Sequence, residues 1–178
     1  MSNIVFIGTS LDNYIADKQG GLEWLTTLPN PEQDDCGFGA FMASVDALVM
    51  GRNTFDTVCG FEGEWPYSKP VFVLSRTLST LPETLKGKAE LIQGLPAEVT
   101  RQLNDRGFQR LYIDGGQTIQ SFLEADLIDE MIISQLPVLL GGGTPLFGDL
   151  ATPLWFQHLS SEVMLGAITK HHYRRRRD

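Results

Sequence analysis

The chain has 178 residues, of which 42% are hydrophobic and 20% charged, and this composition is typical of one globular domain with a substantial core. Its net charge of −8 at pH 7 argues against binding of a nucleic-acid backbone as its main task. No apolar run approaches the ~20 residues that cross a bilayer, and two cysteines are too few for a disulfide framework or a four-ligand zinc site. We therefore expect a cytoplasmic protein that holds no metal and binds neither membrane nor nucleic acid.

Up to residue 124 the chain alternates apolar runs with helical patterns. The apolar runs are short and bounded by Gly, Pro or Asp, which is typical of strands buried on both faces of a sheet. These predicted strands cover residues 3–10, 46–51, 70–75, 89–94 and 110–115. Helices are predicted over residues 33–44, 96–107 and 116–124, with a short helical turn after Gly51.

The remainder of the chain favours long strands over residues 129–141 and 154–175. The second stretch is long enough for an antiparallel pair, with a hinge predicted near Ser160–Glu162. The predicted fold is α/β with three layers: a mostly parallel twisted sheet, helices on both of its faces, and an antiparallel C-terminal edge. One domain is expected over residues 1–173, followed by a basic tail at 174–178.

Polar and glycine-rich segments follow several of the predicted strands. They read "GRNTF" (51–55), "SR" (75–76) and "DGGQT" (114–118). A glycine after a strand usually marks only a turn, but cations, hydroxyls and helix starts at successive strand ends together favour a phosphate site. The glycines at 115 and 116 let an anion such as a pyrophosphate approach the backbone closely. A further glycine-rich segment, "GGGTPLFG" (141–148), has no evident ligand chemistry.

These segments, taken in order, resemble the dihydrofolate-reductase-like superfamily. The closest branch is the C-terminal reductase domain of bifunctional riboflavin-biosynthesis proteins. The resemblance covers nearly the whole chain and rests on "SLDNYIAD" (10–17), "FMASVDALVMGRNTF" (41–55), "WPYSKPVFVLSR" (65–76) and "LYIDGGQTIQSFLEADLIDEMIISQLPVLLGGGTPLF" (111–147). The ordered set is far more specific than any one member.

The resemblance implies NADPH as the hydride donor and assigns positions to each part of the cofactor. The nicotinamide is expected beside Gly8, Ile15 and Ala16. The diphosphate is expected to meet Arg52, Asn53, Thr54, Gly115, Gly116, Gln117 and Thr118. Gly51 and Asp114 are also expected to bind the cofactor. The adenosine ribose and its 2′-phosphate are expected at Leu74, Ser75 and Arg76, where a guanidinium favours NADPH over NADH. Asn13 stands where the family usually has glycine, and asparagine tolerates the left-handed backbone that such a position needs.

Two residues are candidates for catalysis. Asp35 falls where dihydrofolate reductases place a carboxylate that assists protonation of the substrate, although it also fits the acidic first turn of a helix. Ser134 matches a position where the reductases carry a hydroxyl that faces the substrate, although ordinary strand alternation also accounts for it.

The predicted function is NADPH-dependent reduction of a small heterocyclic or phosphoribosylaminopyrimidine-type substrate, as in 5-amino-6-(5-phosphoribosylamino)uracil reductases. Reduction of a dihydrofolate or pterin is one alternative, and an NADPH-binding module without turnover is another. A nucleic-acid-binding role for the arginines at 174–177 is a third. The long terminal strands leave edges that a homodimer would cover, and the family's habit of dimerising favours the same assembly.

Overall fold

A computed structural model describes residues 1–177, and its centre is an eight-stranded sheet. The strands, in chain order, are β1 (Ser2–Thr9), β2 (Tyr14–Ala16), β3 (Ala47–Gly51), β4 (Val71–Leu74), β5 (Ala89–Ile92), β6 (Arg110–Asp114), β7 (Glu130–Gln135), β8 (Thr144–Pro145), β9 (Phe156–Met164) and β10 (Ile168–Arg175). The α-helices are α1 (Phe38–Ser44), α2 (Arg52–Cys59), α3 (Pro96–Asp105) and α4 (Gly116–Glu124). Two short 3₁₀ helices lie at Glu23–Thr26 and Glu83–Leu85.

The strand order in the large sheet is β5-β4-β3-β6-β1-β7-β10-β9. Strands β1 and β3 to β7 run parallel to one another, whereas β10 is antiparallel to both β7 and β9. A second, two-stranded antiparallel sheet joins β2 to β8. The predicted parallel sheet with an antiparallel C-terminal edge is therefore confirmed.

Alternate residues of the central strands are buried in two different cores. Val49 packs in a cluster with α3 and α4, while its neighbour Leu48 packs on the opposite face with α1 and α2. Both side chains are fully buried, as are the other apolar residues of β3. Helices on each face explain why these strands are apolar throughout rather than alternating with polar residues. The three-layer arrangement is as predicted.

The helix predicted over 33–44 begins five residues later, at Phe38. Gln33, Cys36 and Gly37 have φ values of 54°, 55° and 85°, which belong to left-handed backbone and interrupt a right-handed helix. The carboxylate of Asp35 instead accepts hydrogen bonds from the backbone N–H groups of Gly37 and Gly39. Local side-chain bonds of this kind compete with helix formation.

Two boundaries in the C-terminal part were predicted wrongly. The hinge lies at Leu165–Gly166, where φ is 49° and 65°, and not near Ser160–Glu162, which belongs to β9. Strand β7 ends at Gln135 rather than continuing to residue 141, because Pro137 has no N–H to donate to a neighbouring strand.

The arginine tail begins as part of the sheet. Strand β10 includes Arg174 and Arg175, so the ordered domain extends beyond residue 173. Arg175 pairs with Asp126 at 2.7 Å, and Arg177 pairs with Asp129 at 2.6 Å. These pairs lie at the amino ends of the parallel strands, opposite the edge where the predicted ligand loops lie. The last predicted tail residue, Asp178, lies outside the described residues.

Candidate active site

A cleft of about 1630 Å³ opens at the carboxyl ends of β1, β3, β4 and β6. Parallel strands end at one edge of a sheet, and their loops diverge there around a crevice. Every position assigned to the cofactor from the sequence lines this cleft. These positions are Gly8, Ile15, Ala16, Gly51, Arg52, Asn53, Thr54, Leu74, Ser75, Arg76, Asp114, Gly115, Gly116, Gln117 and Thr118.

Two helices present their N-termini to the same part of the cleft. Helix α2 begins after Gly51 and helix α4 after Gly115, and neither helix has a side-chain cap. The first backbone N–H groups of both helices are therefore without an intrahelical partner. The uncapped pair forms a site suited to an anion.

The two uncapped turns interlock at their glycines. A Cβ on Gly51 would lie 2.7 Å from the hydroxyl of Thr118, and a Cβ on Gly115 would overlap the hydroxyl of Thr54. Gly115 also has a φ of 97°, which L-residues rarely adopt. Each glycine thus lets the first turn of the other helix approach, which brings both sets of N–H groups to one place.

Two arginines lie at the β4 end of the cleft. The Nη1 of Arg52 donates to the hydroxyl of Thr77 at 3.2 Å, and its Nε lies 3.4 Å from a carboxylate oxygen of Asp56. The hydroxyl of Ser75 accepts hydrogen bonds from the N–H groups of Thr77 and Leu78, and so holds the turn that carries the exposed Arg76. This end of the cleft therefore combines positive charge with a fixed turn.

Asp114 ends β6 at the floor of the cleft, where it is largely buried. Burial raises the pKa of its carboxyl to about 6, and a hydrogen bond from the N–H of Gly115 at 2.9 Å only partly offsets this. Tyr67 lines the same cleft, and its pKa is raised by burial and then by the charge of Asp114. A carboxyl with a pKa near neutrality can both release and accept a proton under physiological conditions.

The loop after β1 has the left-handed residue that the sequence predicted. Asn13 has a φ of 63°, so asparagine takes the geometry for which the family uses glycine. Asp12 stabilises this loop through hydrogen bonds to Ser10 in the same loop and to residues 140 and 141 outside it. Its carboxylate accepts bonds from the Ser10 hydroxyl at 2.6 Å and from the N–H groups of Leu140 and Gly141 at 3.1 and 2.8 Å. These bonds, that of Ser10 first, lower the pKa of Asp12 to about 2.

The glycine-rich segment 141–148 has a structural purpose that its sequence did not reveal. Gly143 lies so close to the carbonyl of Ala16 that no Cβ fits, and its φ is 127°. The next residue, Thr144, begins β8, which pairs with β2. The segment therefore holds Ile15 and Ala16 in place beside the cleft.

The two predicted catalytic residues do not line the cleft. Asp35 is exposed, and hydrogen bonds from the N–H groups of Gly39 and then Gly37 hold its pKa below the usual value, so it is poorly suited to donate a proton. Its geometry matches the alternative interpretation, a carboxylate at the start of a helix. Ser134 pairs with Gly8 across β7 and β1, which is beside the predicted nicotinamide position, and its role stays a prediction.

Several lining residues were missed from the sequence. They are Leu22, Leu25, Tyr67, Gln93, Gly94 and Pro96. Gly94 and Pro96 follow β5, as glycine follows several other strands. The sequence therefore did indicate a turn at this strand end. The leucines and Tyr67 carry no such signal, because they lie outside the predicted strands and helices, the leucines at a short 3₁₀ helix and Tyr67 in a loop.

Residues 1–177 contain no group of three or more His, Cys, Asp or Glu side chains arranged to hold a metal ion. Over the same residues, no helix combines the length and the apolar character needed to cross a membrane.

Three solved structures and relatives are similar to this chain over nearly its full length. A putative riboflavin biosynthesis protein from Shewanella sp. PV-4 is 55% identical with a TM-score of 0.97, and the match covers 99% of this chain and 100% of that one. The uncharacterized protein YwjB of Bacillus subtilis is 28% identical over 173 residues, 96% of this chain and 95% of that protein. Dihydrofolate reductase from Enterococcus faecalis, complexed with NADP(H), is 16% identical with a TM-score of 0.67 over 98% and 96% of the two chains.

The similarity to dihydrofolate reductase concerns the fold alone, and it confirms the predicted dihydrofolate-reductase-like architecture. The family is shown by a direct match of residues 3–168 to the model of the RibD C-terminal domain. Both findings agree with the resemblance that the ordered motifs indicated. The chain therefore belongs to the RibD C-terminal domain family.

Proposed function

We propose that the protein is an NADPH-dependent reductase that transfers a hydride to a small heterocyclic substrate. The observation that carries this proposal is the pair of uncapped helix N-termini at Gly51 and Gly115, which share one cleft with two arginines and a carboxyl of raised pKa. An anion cradle and a proton-transferring group in one crevice are what nicotinamide-dependent reduction requires. Membership of the RibD C-terminal domain family supports the same activity.

The diphosphate of the cofactor would be held by the first N–H groups of α2 and α4. The interlocked glycines 51 and 115 support this assignment, because they let the two helix starts approach each other and bring both sets of N–H groups to one place. The adenosine end would lie at Leu74–Arg76, and the nicotinamide at Gly8, Ile15 and Ala16. When bound, NADPH supplies the hydride.

Arg76 would select NADPH over NADH. It is exposed at the β4 end of the cleft, where a guanidinium can pair bidentately with the 2′-phosphate of the ribose. Arg52 adds positive charge nearby through its contact with Thr77. The cation pair favours a doubly charged phosphate over the ribose hydroxyl of NADH.

Asp114 is the group best suited to supply the proton. It lines the cleft and its pKa is about 6, whereas Asp35 is exposed and its pKa is lowered. A neutral carboxyl would donate to the substrate atom that becomes more basic as the hydride arrives, and solvent would then reprotonate it. We therefore replace Asp35 with Asp114 as the proposed acid.

A homodimer is the proposed assembly. Strand β9 is the edge of the described sheet, and its backbone groups on one side have no strand partner within residues 1–177. Trp155 and Val163, at the two ends of this edge, are 70% and 68% exposed. Pairing of the edge with a second copy would cover both. Light scattering at micromolar concentration tests this, and a monomeric mass contradicts it.

Cofactor titration tests the proposed function directly. Tryptophan fluorescence and thermal unfolding are followed with NADPH and NADH for the wild type, for Arg76→Ala and for the control Arg101→Ala, which lies on α3 outside the cleft. The wild type is expected to prefer NADPH. Because a hydrogen bond to a charged group contributes about 1.5–3 kcal/mol, Arg76→Ala should reduce the preference by about tenfold to a hundredfold.

The control variant is expected to keep the wild-type preference. Absence of binding of either nucleotide by the wild type contradicts the reductase proposal. Binding of NADPH without its oxidation in the presence of any pterin or pyrimidine supports the alternative of a binding module without turnover.

A further inference from the structure

Two of the three histidines of the chain face one serine across the C-terminal strand pair. The Nε2 of His158 lies 2.6 Å from the hydroxyl oxygen of Ser161, and the Nδ1 of His171 lies 2.7 Å from the same oxygen. His158 and Ser161 belong to β9, and His171 belongs to the antiparallel strand β10. Two imidazole nitrogens therefore converge on one point, and none of these residues lines the large cleft.

A β-bulge brings these side chains to the same face of the sheet. Successive residues of a regular strand point to opposite faces, so His158 and Ser161, three positions apart, would be separated. The pairs His171–Ser161 and Tyr173–His158 flank a shift in register, which leaves Leu159 as the additional residue on β9. The additional residue returns His158 to the face of Ser161. Bulges often re-aim side chains in this way beside functional sites.

The two imidazole rings are oriented by a neighbouring aromatic ring and are accessible to solvent. The ring centroid of Tyr173 lies 5.7 Å from that of His158 and 5.9 Å from that of His171, so the three rings pack together. His158 is exposed and His171 is half-buried. Pairing of β9 with a second copy would use the backbone edge of the strand, and these side chains stand roughly perpendicular to the sheet. The pair is therefore open to a small ligand from water.

The hydroxyl of Ser161 has one proton to share between two ring nitrogens. It can donate to one neutral imidazole only, and the other imidazole must then donate to it. A neutral imidazole can carry its proton on either nitrogen, so both rings can also present a lone pair to the same point. A cation at that point would accept both lone pairs, which the hydroxyl cannot do.

The chemistry of the two ligands selects the kind of cation. Imidazole nitrogens suit zinc, nickel and copper, and they bind zinc at about 2.0–2.1 Å, whereas calcium and magnesium prefer oxygen. Within residues 1–177, no group of three or more His, Cys, Asp or Glu side chains is placed to hold a metal ion, so water would complete the coordination. The hydroxyl of Ser161 would turn aside as the ion takes the place between the nitrogens.

We infer that His158 and His171 bind a divalent transition metal ion, of the zinc, nickel or copper type, which links β9 to β10. This inference does not depend on the proposed reductase function, because the pair lies outside the large cleft. It departs from the expectation of a chain without metal, which was drawn from the number of cysteines. Since folding brings the two ligands together, bound metal stabilises the folded chain over the unfolded one.

Calorimetric titration of the protein, without any histidine tag, with zinc chloride tests the inference. The wild type is compared with His158→Gln, with His171→Gln and with the control His172→Gln. His172 is the neighbour of His171 on the opposite face of β10, where its Nε2 lies 2.7 Å from a carboxylate oxygen of Glu130. Because changes around a metal ligand already cost about tenfold to a hundredfold in affinity, loss of either ligand should weaken zinc binding at least about tenfold. The control should keep the wild-type affinity, and magnesium should not bind.

Thermal unfolding provides the second readout. Without metal, it establishes that each variant is folded. With zinc, the midpoint should rise for the wild type and for His172→Gln but not for His158→Gln or His171→Gln. Absence of zinc binding by the wild type at millimolar zinc overturns the inference. So does equal binding by the wild type and His158→Gln, because the ion would then lie elsewhere, for example at the exposed thiol of Cys59.

Discussion

The two ends of the cleft differ in what they offer a ligand. At the Gly51–Gly115 end, backbone N–H groups from two helix starts and two arginines are arranged for an anion. Towards Gly8, the cleft is lined by leucines, and Asp114, whose pKa is raised by burial, adjoins this part from the end of β6. The first end depends on backbone geometry, and the second depends on side chains that come from separate loops. The comparison implies that changes at the first end should affect binding, whereas changes at the second should affect turnover.

The largest effect is expected from removal of the acid at the second end. Asp114→Asn should lower kcat by about 10²–10⁴-fold, because general acid catalysis contributes that much, while NADPH affinity stays near the wild-type value. Since the carboxyl has a pKa of about 6 and must be protonated to donate, wild-type kcat/KM should fall as pH rises above about 6. Steady-state kinetics from pH 5 to 8 measure both effects.

Asp35→Asn is the control for that experiment, because Asp35 is exposed and bonded to its own backbone turn. It should change kcat less than about twofold, in keeping with a surface position. A large loss of turnover in this variant, with Asp114→Asn active, would restore Asp35 as the acid and break the distinction between the two ends.

The next effect concerns the backbone at the first end. Gly115→Ala forces a Cβ onto the Thr54 hydroxyl at a φ of 97° and should separate the two helix starts. NADPH affinity is expected to fall about tenfold to a hundredfold, since overpacking costs about 1–3 kcal/mol. Gly107→Ala is a matched control, with a φ of 95° and nothing within 4 Å of the added Cβ. It should lose stability to backbone strain but keep NADPH affinity, as measured by fluorescence titration.

A smaller effect, on the free energy of unfolding, should show whether Asp114 is retained for stability or for catalysis. The folded-state pKa of Asp114 is about 6, against an ordinary value of 3.8, so the folded protein holds the proton more tightly than the unfolded chain. The contribution of Asp114 to the free energy of unfolding therefore falls as pH rises from about 4 to 6. At pH 7.5, Asp114→Asn should be more stable than the wild type by about 1–3 kcal/mol.

Urea unfolding at pH 4 and pH 7.5 measures this difference. The variant is compared with the wild type at each pH, so that the contributions of the other carboxylates to the free energy of unfolding cancel. A variant that gains stability and loses turnover identifies Asp114 as a group retained for function. Equal stability of the two proteins at both pH values would contradict the raised pKa.

The same contrast explains how much was predictable from the sequence. Strand β3 and helix α4 were predicted from apolar runs bounded by glycine. The pair of helix N-termini was predictable as well, because Gly51 and Gly115 each lie between a strand and a helix start. The positions that the family resemblance assigned to the cofactor all line one cleft. Local sequence carries this information, because backbone geometry and helix starts are local properties.

The second end was less predictable because its residues meet only in the folded chain. Leu25 comes from a short 3₁₀ helix and Tyr67 from a loop, and the burial that raises the pKa of Asp114 arises only in the folded chain. The helix predicted from residue 33 failed for a related reason, since left-handed residues at 33 and 36 are set by side-chain bonds that periodicity does not report. The resemblance to dihydrofolate reductases favoured Asp35 as the acid, because Asp35 falls where those enzymes place a carboxylate.

The smallest predicted effect concerns Asp12. This residue lies in the loop after β1 and is bonded to the start of the glycine-rich segment. The carboxylate of Asp12 accepts hydrogen bonds from the N–H groups of Leu140 and Gly141, whereas an asparagine offers one acceptor oxygen in place of two. Asp12→Asn should raise the Kd for NADPH about threefold and speed hydrogen exchange at residues 140–143. Because the pKa of Asp12 is lowered to about 2, its bonds should hold at neutral pH and be lost as pH falls through about 2.

Asp17→Asn is the control for this last change. The carboxylate of Asp17 accepts hydrogen bonds from the N–H groups of Gln19 and Gly21 within the same loop. In the described structure it makes no hydrogen bond to the glycine-rich segment. Exchange should then quicken at residues 19–21 and stay unchanged at 140–143. If instead both variants loosen residues 140–143 equally, Asp12 is not the tie between the two loops. The nicotinamide end would then be positioned by the β2–β8 pairing and the close contact of Gly143 with Ala16 alone.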